Sequence, residues 1–336
     1  MSVLVARISA AGKIGLDREP RQVPGEGEVG LKVSAVGLCG SDRHWFEEGS
    51  IGDAAISSPL VLGHEFCGVV LDGPRAGERV IADPAIPCGS CSLCLSGRTN
   101  ICPTIAFAGY AGTDGALRTE MAWPARLLHT VPAHIPDTQA TLLEPLGIAV
   151  HAHEIASASG PITSAGVYGC GPLGLLLVGL LRAAGVSQIV ATDVVLERLA
   201  AARGMGATDT FAVDRPAQRR AAREISVDAA FETAGEDDAL DDALTAVRPG
   251  GPVVLIGIPA GDRTSFVAST ARRKGLTLAL CRRMLPEHLD RAIELAADGR
   301  IPLEAMVTHV YPLTEVADAF ATLMARRGLK VVVTPN

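Results

Sequence analysis

Residues 165–174, AGVYGCGPLG, constrain the fold of this chain more than any other stretch. An apolar run, Ala165–Tyr168, leads into Gly169-Cys170-Gly171-Pro172-Leu173-Gly174, and an Ala/Leu-rich segment, Leu173–Ala184, follows. This is G-x-G-x-x-G placed between a strand and a helix. Gly169 permits the tight turn, Gly171 lets backbone approach a pyrophosphate, and Gly174 lets the helix pack on the strand. The free N–H groups at the helix start then face the phosphates. Pro172 and Leu173, between the glycines, belong to the same loop. A Gly-rich turn with no ligand is the plainer alternative.

The context favours the ligand. Strands are expected at Gln188–Thr192, Ala229–Glu232, Val253–Gly257 and Leu276–Leu280, with helices between them, Leu196–Gly204 being the clearest. Strands alternating with helices predict an α/β fold with a doubly wound parallel sheet. Asp193 follows the first of these, Gln188–Thr192, at its end. An acid there accepts hydrogen bonds from a ribose 2′-hydroxyl and repels a 2′-phosphate, so the expected dinucleotide is NAD. Arg198 either flanks the adenosine or lies on a solvated helix face. Ile256 and Gly257 complete the expected cofactor contacts, and Cys170 reads as a small buried side chain.

Before this region the pattern differs. Residues up to 147 hold short β-like runs broken by Gly and Pro, among them Val29–Val36, Val61–Leu71 and Arg79–Ala82. After 283 come a helix, Pro286–Asp298, and a last strand, Val331–Val333. The expected division is therefore 1–147 with 284–336 as one domain and 148–283 as the other. Charged residues make up 20% of the chain and the net charge is −7, which lacks the basic footprint of a nucleic-acid binder. No apolar stretch is long enough to span a bilayer, and Ser2–Ile8 reads as a strand without the flanks of a signal peptide. A cytoplasmic protein with no membrane partner is the expectation.

Of eight cysteines, Cys88, Cys91, Cys94 and Cys102 crowd into one loop. Two-residue spacings turn consecutive sulfurs onto one ion, and a fourth closes a tetrahedron. An all-sulfur shell suits structural Zn²⁺, with an iron–sulfur or redox role as the alternative. Cys39 in Cys39-Gly40-Ser41-Asp42-Arg43-His44 and His64 in Gly63-His64-Glu65 form a second candidate set. Thiolate plus imidazole suit a catalytic zinc that keeps an open position.

These motifs, with GLCGSDRHW (37–45), Gly49-SIG-Asp53, LVLGHE (60–65), EPLGIAVHA (144–152), FETAG (231–235), VTHVYPL (307–313) and GLKVVV (328–333), resemble the zinc-containing medium-chain dehydrogenases, and within them the sorbitol and xylitol dehydrogenases. The resemblance spans nearly the whole chain. It implies a mostly β, GroES-like catalytic domain beside a Rossmann domain, with zinc, nicotinamide and substrate held in the cleft between. It implies a catalytic zinc on Cys39 and His64, with Glu65 as the third protein ligand and Glu144 reaching the metal directly or through water. Which of the two glutamates binds directly stays open, and Glu65 as an acid that only orients its neighbours is the plainer alternative.

The implied reaction is hydride transfer from a zinc-activated secondary alcohol, a polyol or sugar alcohol, to NAD. Ser41 would hydrogen-bond the reacting oxygen and His44 would pass the proton toward solvent. Trp45 and Arg282 would contact substrate along with Glu144, although Trp45 also suits core packing and His44 a surface position. Arg283 stands where the polyol enzymes have an aromatic residue, and Gly68–Arg79 is shorter than their hairpin. Two zincs per chain and a homodimer or homotetramer are expected. A threonine, butanediol or sugar-phosphate dehydrogenase is the nearest alternative, and a silent nucleotide-binding protein the more distant one.

Overall fold

The computed structural model describes residues 2–110 and 112–335. It has two compact units: Met1–Glu144 with Leu285–Ala297 and Met306–Asn336, and Pro145–Met284 with Asp298–Ala305. The sequence assigned all of 284–336 to the first unit. Asp298–Ala305 instead joins the second, because Ile301 packs over Gly179 and Arg300 donates to the carbonyl of Ala183 at the end of the Pro172–Ala183 helix.

The first unit is built on a seven-stranded sheet. Its order is Leu128–Thr130, Arg79–Ala82, Glu65–Val70, Glu28–Gly37, Lys330–Thr334, Val307–Pro312, and Glu120–Pro124 also pairs with Glu28–Gly37. Apolar residues of these strands, with Val5, Ile8 and Phe320, form the core. The expected single run Val61–Leu71 is two strands, Leu60–Val61 and Glu65–Val70. The break falls at Gly63, whose φ of +95° and whose ideal Cβ, 2.7 Å from Val36 Cγ1, both require glycine.

Register brings distant residues together here. Glu28–Gly37 pairs antiparallel with its neighbours so that Gly37 faces Glu65 on one side and Val332 on the other. Cys39, Glu65 and Lys330 therefore meet at one end of the central strand. Across the described residues no helix is long and apolar enough to cross a membrane.

The second unit is a six-stranded parallel sheet in the order Asp209–Ala212, Gln188–Asp193, Ser164–Tyr168, Ala229–Glu232, Pro252–Leu255, Thr277–Leu280. In chain order this is 3-2-1-4-5-6, the doubly wound arrangement the sequence predicts, with a switch point between Ser164–Tyr168 and Ala229–Glu232. Asp209–Ala212 is an edge strand that the apolar pattern does not reveal.

Candidate active site

Helix Gly40–Glu48 positions the first donor. Cys39 is its N-cap, and the Cys39 N–H donates to Asp42 Oδ2 at 2.9 Å, which ties the helix start to the donor residue. Cys39 Sγ, a His64 ring nitrogen and a Glu65 carboxylate oxygen lie within 4.8 Å of one another. His64 is 7% exposed and Glu65 1%. A soft sulfur, an imidazole and a carboxylate this close form a donor set that fits zinc.

Two residues that the sequence reading missed complete the set. Asp42 is fully buried, and its Oδ1 has no hydrogen-bond partner but lies 3.7 Å from His64 Nδ1. A proton on Nδ1 facing that oxygen leaves Nε2 as the metal-binding lone pair. Burial raises the Asp42 carboxyl, against the pull of His64. The signal was present: an acid three residues after a helix N-cap is a capping-box pattern.

Lys330 is the second. It is 1% exposed and forms an ion pair with Glu65 Oε2 inside the sheet. Gly37 makes room for the pair, since a Cβ there would lie 2.4 Å from Glu65 Oε2 and 2.7 Å from Lys330 Cε. Burial first, then the Glu65 charge, push the Cys39 thiol up to about 12, and Lys330 works in the opposite direction. A metal binding there must displace that proton.

Ser41 Oγ sits 3.4 Å from His64 Nε2, at the edge of the donor set. His44 lies one helical turn on, its Nδ1 2.6 Å from Glu48 Oε1. Glu144 is buried in the first turn of helix Leu143–Ser157, outside the three-residue set. Trp45 is 2% exposed and packs edge-on against Tyr110 in the core. Arg282 is exposed in the second unit, and the neighbouring Arg283 carbonyl accepts a hydrogen bond from His151 Nδ1 at 2.6 Å.

The sulfurs of Cys88, Cys91, Cys94 and Cys102 also lie within 4.8 Å of one another. Backbone N–H groups point at them: Cys91 N at Cys88 Sγ, Cys94 N at Cys91 Sγ and Cys88 N at Cys102 Sγ, each at 3.4 Å. The amides of Ser90 and Cys91 hold the Cys88 thiol down at about 5, while desolvation and the Cys91 sulfur push Cys94 up to about 12. Four sulfurs in one shell cannot all ionise without a cation. That demand, with Leu95 76% exposed and no core of its own, fits the loop to a metal that holds it folded.

In the second unit Gly169 has φ +106°, and its ideal Cβ would be 2.8 Å from Ala234 N. A Cβ at Gly174 would be 2.0 Å from Gly169 O, whereas at Gly171 it would meet nothing within 4 Å. Gly171 therefore faces open space at the N-cap of helix Pro172–Ala183. Leu173 follows Pro172 in its first turn. Asp193 is 9% exposed; its Oδ2 accepts from Cys170 N at 2.7 Å and its Oδ1 from Val195 N at 2.8 Å. Arg198 Nη1 is 4.0 Å from it. Ile256 and Gly257 lie just past the Pro252–Leu255 strand, a shorter strand than expected, because both N–H groups turn back to the Glu232 carbonyl.

Comparison with known proteins agrees with this geometry. Residues 25–133 match the alcohol dehydrogenase GroES-like domain and residues 172–298 the zinc-binding dehydrogenase domain. A probable D-xylulose reductase A from Neosartorya fischeri is 32% identical over 331 residues, covering 94% of this chain and 92% of the relative. A sorbitol dehydrogenase from Bacillus subtilis is 32% identical over 321 residues, covering 92% and 90%. Among solved structures, an alcohol dehydrogenase from Escherichia coli CFT073 complexed with NADH has a TM-score of 0.88 at 26% identity, covering 99% of this chain and 100% of that one. A zinc-binding dehydrogenase from Sinorhizobium meliloti 1021 bound to NADP has a TM-score of 0.88 at 27% identity, covering 100% of both chains. The chain thus belongs to the zinc-binding medium-chain alcohol dehydrogenases, oxidoreductases that use zinc and a nicotinamide cofactor.

Proposed function

We propose that the chain catalyses NAD-linked oxidation of a secondary alcohol, with polyols as the substrate class. The observation that carries this is the convergence of Cys39, His64 and Glu65 within 4.8 Å at a buried sheet end. The xylulose reductase and sorbitol dehydrogenase relatives support the polyol class.

Zinc bound at that donor set supplies Lewis acidity toward a substrate hydroxyl. The chain's own residues do the rest. Asp42 fixes the tautomer of His64, and Lys330 holds one oxygen of Glu65. Ser41 hydrogen-bonds the reacting hydroxyl and relays its proton, giving up its own hydroxyl proton as it accepts the substrate's, and His44 delivers the released proton to solvent. Glu144 is assigned to the substrate or to the position that the three donors leave open. Trp45 is assigned to core packing against Tyr110.

NAD is the proposed partner because Asp193, pinned by two amides, keeps lone pairs for a ribose diol and presents a negative charge to a 2′-phosphate. The proposal includes a second, structural zinc on the four cysteines, assembly as a dimer or tetramer, and a cytoplasmic location.

The test is a panel of free polyols, butanediol, threonine and phosphorylated polyols, each with NAD and with NADP, read by cofactor absorbance before and after chelation. Turnover of a free polyol with NAD, lost on chelation, is the expected result. No turnover of any free polyol would reject the substrate class.

A further inference from the structure

Glu232 ends the strand beside the switch point and is 3% exposed, so its carboxylate is buried at the C-terminal edge of the parallel sheet. Glu232 Oε1 accepts from Ala234 N at 2.6 Å and from Gly235 N at 2.7 Å, the first amides of its own exit loop. Its backbone carbonyl accepts from Ile256 N at 2.8 Å and Gly257 N at 3.1 Å, the first amides of the next strand's exit loop. One residue thus holds the start of both loops.

The loops also touch each other. A Cβ on Gly257 would lie 2.2 Å from Gly235 N and 2.7 Å from Glu232 Oε2, and one on Gly235 would lie 2.3 Å from Ile258 O. The next residue carries the tie to the Gly-rich turn. Thr233 Oγ1 donates to Gly169 O at 2.6 Å, and Thr233 N donates to Tyr168 O at 2.9 Å. The exits of three strands, Ser164–Tyr168, Ala229–Glu232 and Pro252–Leu255, are therefore laced through two adjacent residues: the Glu232 carboxylate holds its own loop and lies against Gly257, and its backbone carbonyl takes the Ile256 and Gly257 amides.

A buried carboxylate is costly, and hydrophobic packing would serve sheet stability better. Burial raises this carboxyl, and the amides of Gly235 and Ala234 oppose the rise. What the carboxylate contributes is fixed placement of backbone around the crevice where doubly wound sheets bind their ligands. The geometry points to Glu232 as a positioning residue for the dinucleotide: it sets the spacing of the two exit loops against the Gly-rich turn. This rests on the second unit's being a nicotinamide-dinucleotide domain.

The experiment titrates the full-length, zinc-loaded protein with NADH by fluorescence and measures kcat and KM for NAD in E232A, E232D and E232Q. Truncation removes the acceptor that holds the Ala234 and Gly235 amides, so E232A is expected to weaken NADH binding and raise KM by about tenfold, with a smaller effect on kcat. E232D, too short to reach both amides, falls between. E232Q keeps an oxygen that accepts both N–H groups and recovers most of the affinity.

A residue that only supports the fold would lower the melting temperature and leave the NADH dissociation constant of the folded variants unchanged, and that result overturns the assignment. Equal loss in E232Q and E232A overturns it as well. If E232A does not fold, the ranking of E232D below E232Q decides. Wild-type protein that binds neither NADH nor NADPH overturns the dinucleotide reading itself, before any variant is measured.

Discussion

The two metal-competent clusters of the first unit are built on opposite plans. Cys88, Cys91, Cys94 and Cys102 come from one short loop, carry identical donors, and are stabilised by backbone amides while Cys88 stays exposed. Cys39, at a helix N-cap, meets His64 and Glu65, at the start of a distant strand; they carry three kinds of donor, with His64 and Glu65 buried and Glu65 paired to a lysine 265 residues away. The first site, four sulfurs in one loop, would need an ion to hold its fold. The second has its shape set by a sheet and a positive charge already supplied by Lys330, so the fold around it is expected to stand without metal. On the proposed reading, one ion would hold structure and the other would serve chemistry.

The sharpest break of that comparison is Cys39→Ser. It should lower turnover by about a thousandfold or more, because the donor set loses its soft anionic ligand. Metal content should fall by one ion per chain, and the melting temperature should hardly move. Unchanged metal and turnover would remove the basis for a catalytic zinc here.

Cys91→Ser should do the reverse. Loss of a metal-held loop is expected to cost about 4 kcal/mol of stability, seen in denaturant unfolding, with new protease cleavage between residues 88 and 102. If C91S melted like wild type, the loop would not depend on a metal, and the contrast between the two clusters would fail.

The same contrast explains what was legible in the sequence. The cysteine loop and Gly169–Gly174 could be read directly because their chemistry follows from spacing within a few residues. The alternation of strands and helices after 164 was legible for the same reason, being a local pattern. Lys330 was not, because it meets Glu65 across 265 residues, through the register of Glu28–Gly37 with two neighbouring strands. Gly37 looked like one of many glycines, and only the side chains on either side show why it carries no Cβ. Trp45 illustrates the opposite difficulty: its position suggests a pocket, while its burial against Tyr110 depends on a loop that sequence does not place.

Lys330→Met tests whether the lysine stands in for charge. It leaves the Glu65 carboxylate buried and unpaired, which should destabilise the metal-free protein by about 3 kcal/mol. Zinc supplies the missing positive charge, so the loaded variant should lose much less. The gap in melting temperature between chelated and zinc-loaded protein should therefore be wider in K330M than in wild type. Adding Glu65→Gln, which removes the orphaned charge, should narrow it again. An equal loss with and without metal would mean that Lys330 supports the sheet and has no part in the charge balance of the site.

The smallest expected effect falls on a residue that solvent reaches. His44 lies on the helix that begins at Cys39, with its side chain 18% exposed and paired to Glu48. A proton carrier at that depth hands its cargo to bulk water, and water or buffer can replace it in part. His44→Gln should therefore lower turnover by about tenfold, less than removal of a group that transfers the proton in the reacting complex itself. Because the position is reachable from solvent, added imidazole should restore part of the rate, with no change in zinc content. Cys39→Ser, whose defect lies in the buried donor set, should not respond to imidazole at all. If H44Q lost activity without rescue, His44 would belong to the architecture of the buried site, and the boundary drawn here between its fixed donors and its solvent-facing proton path would have to move inward.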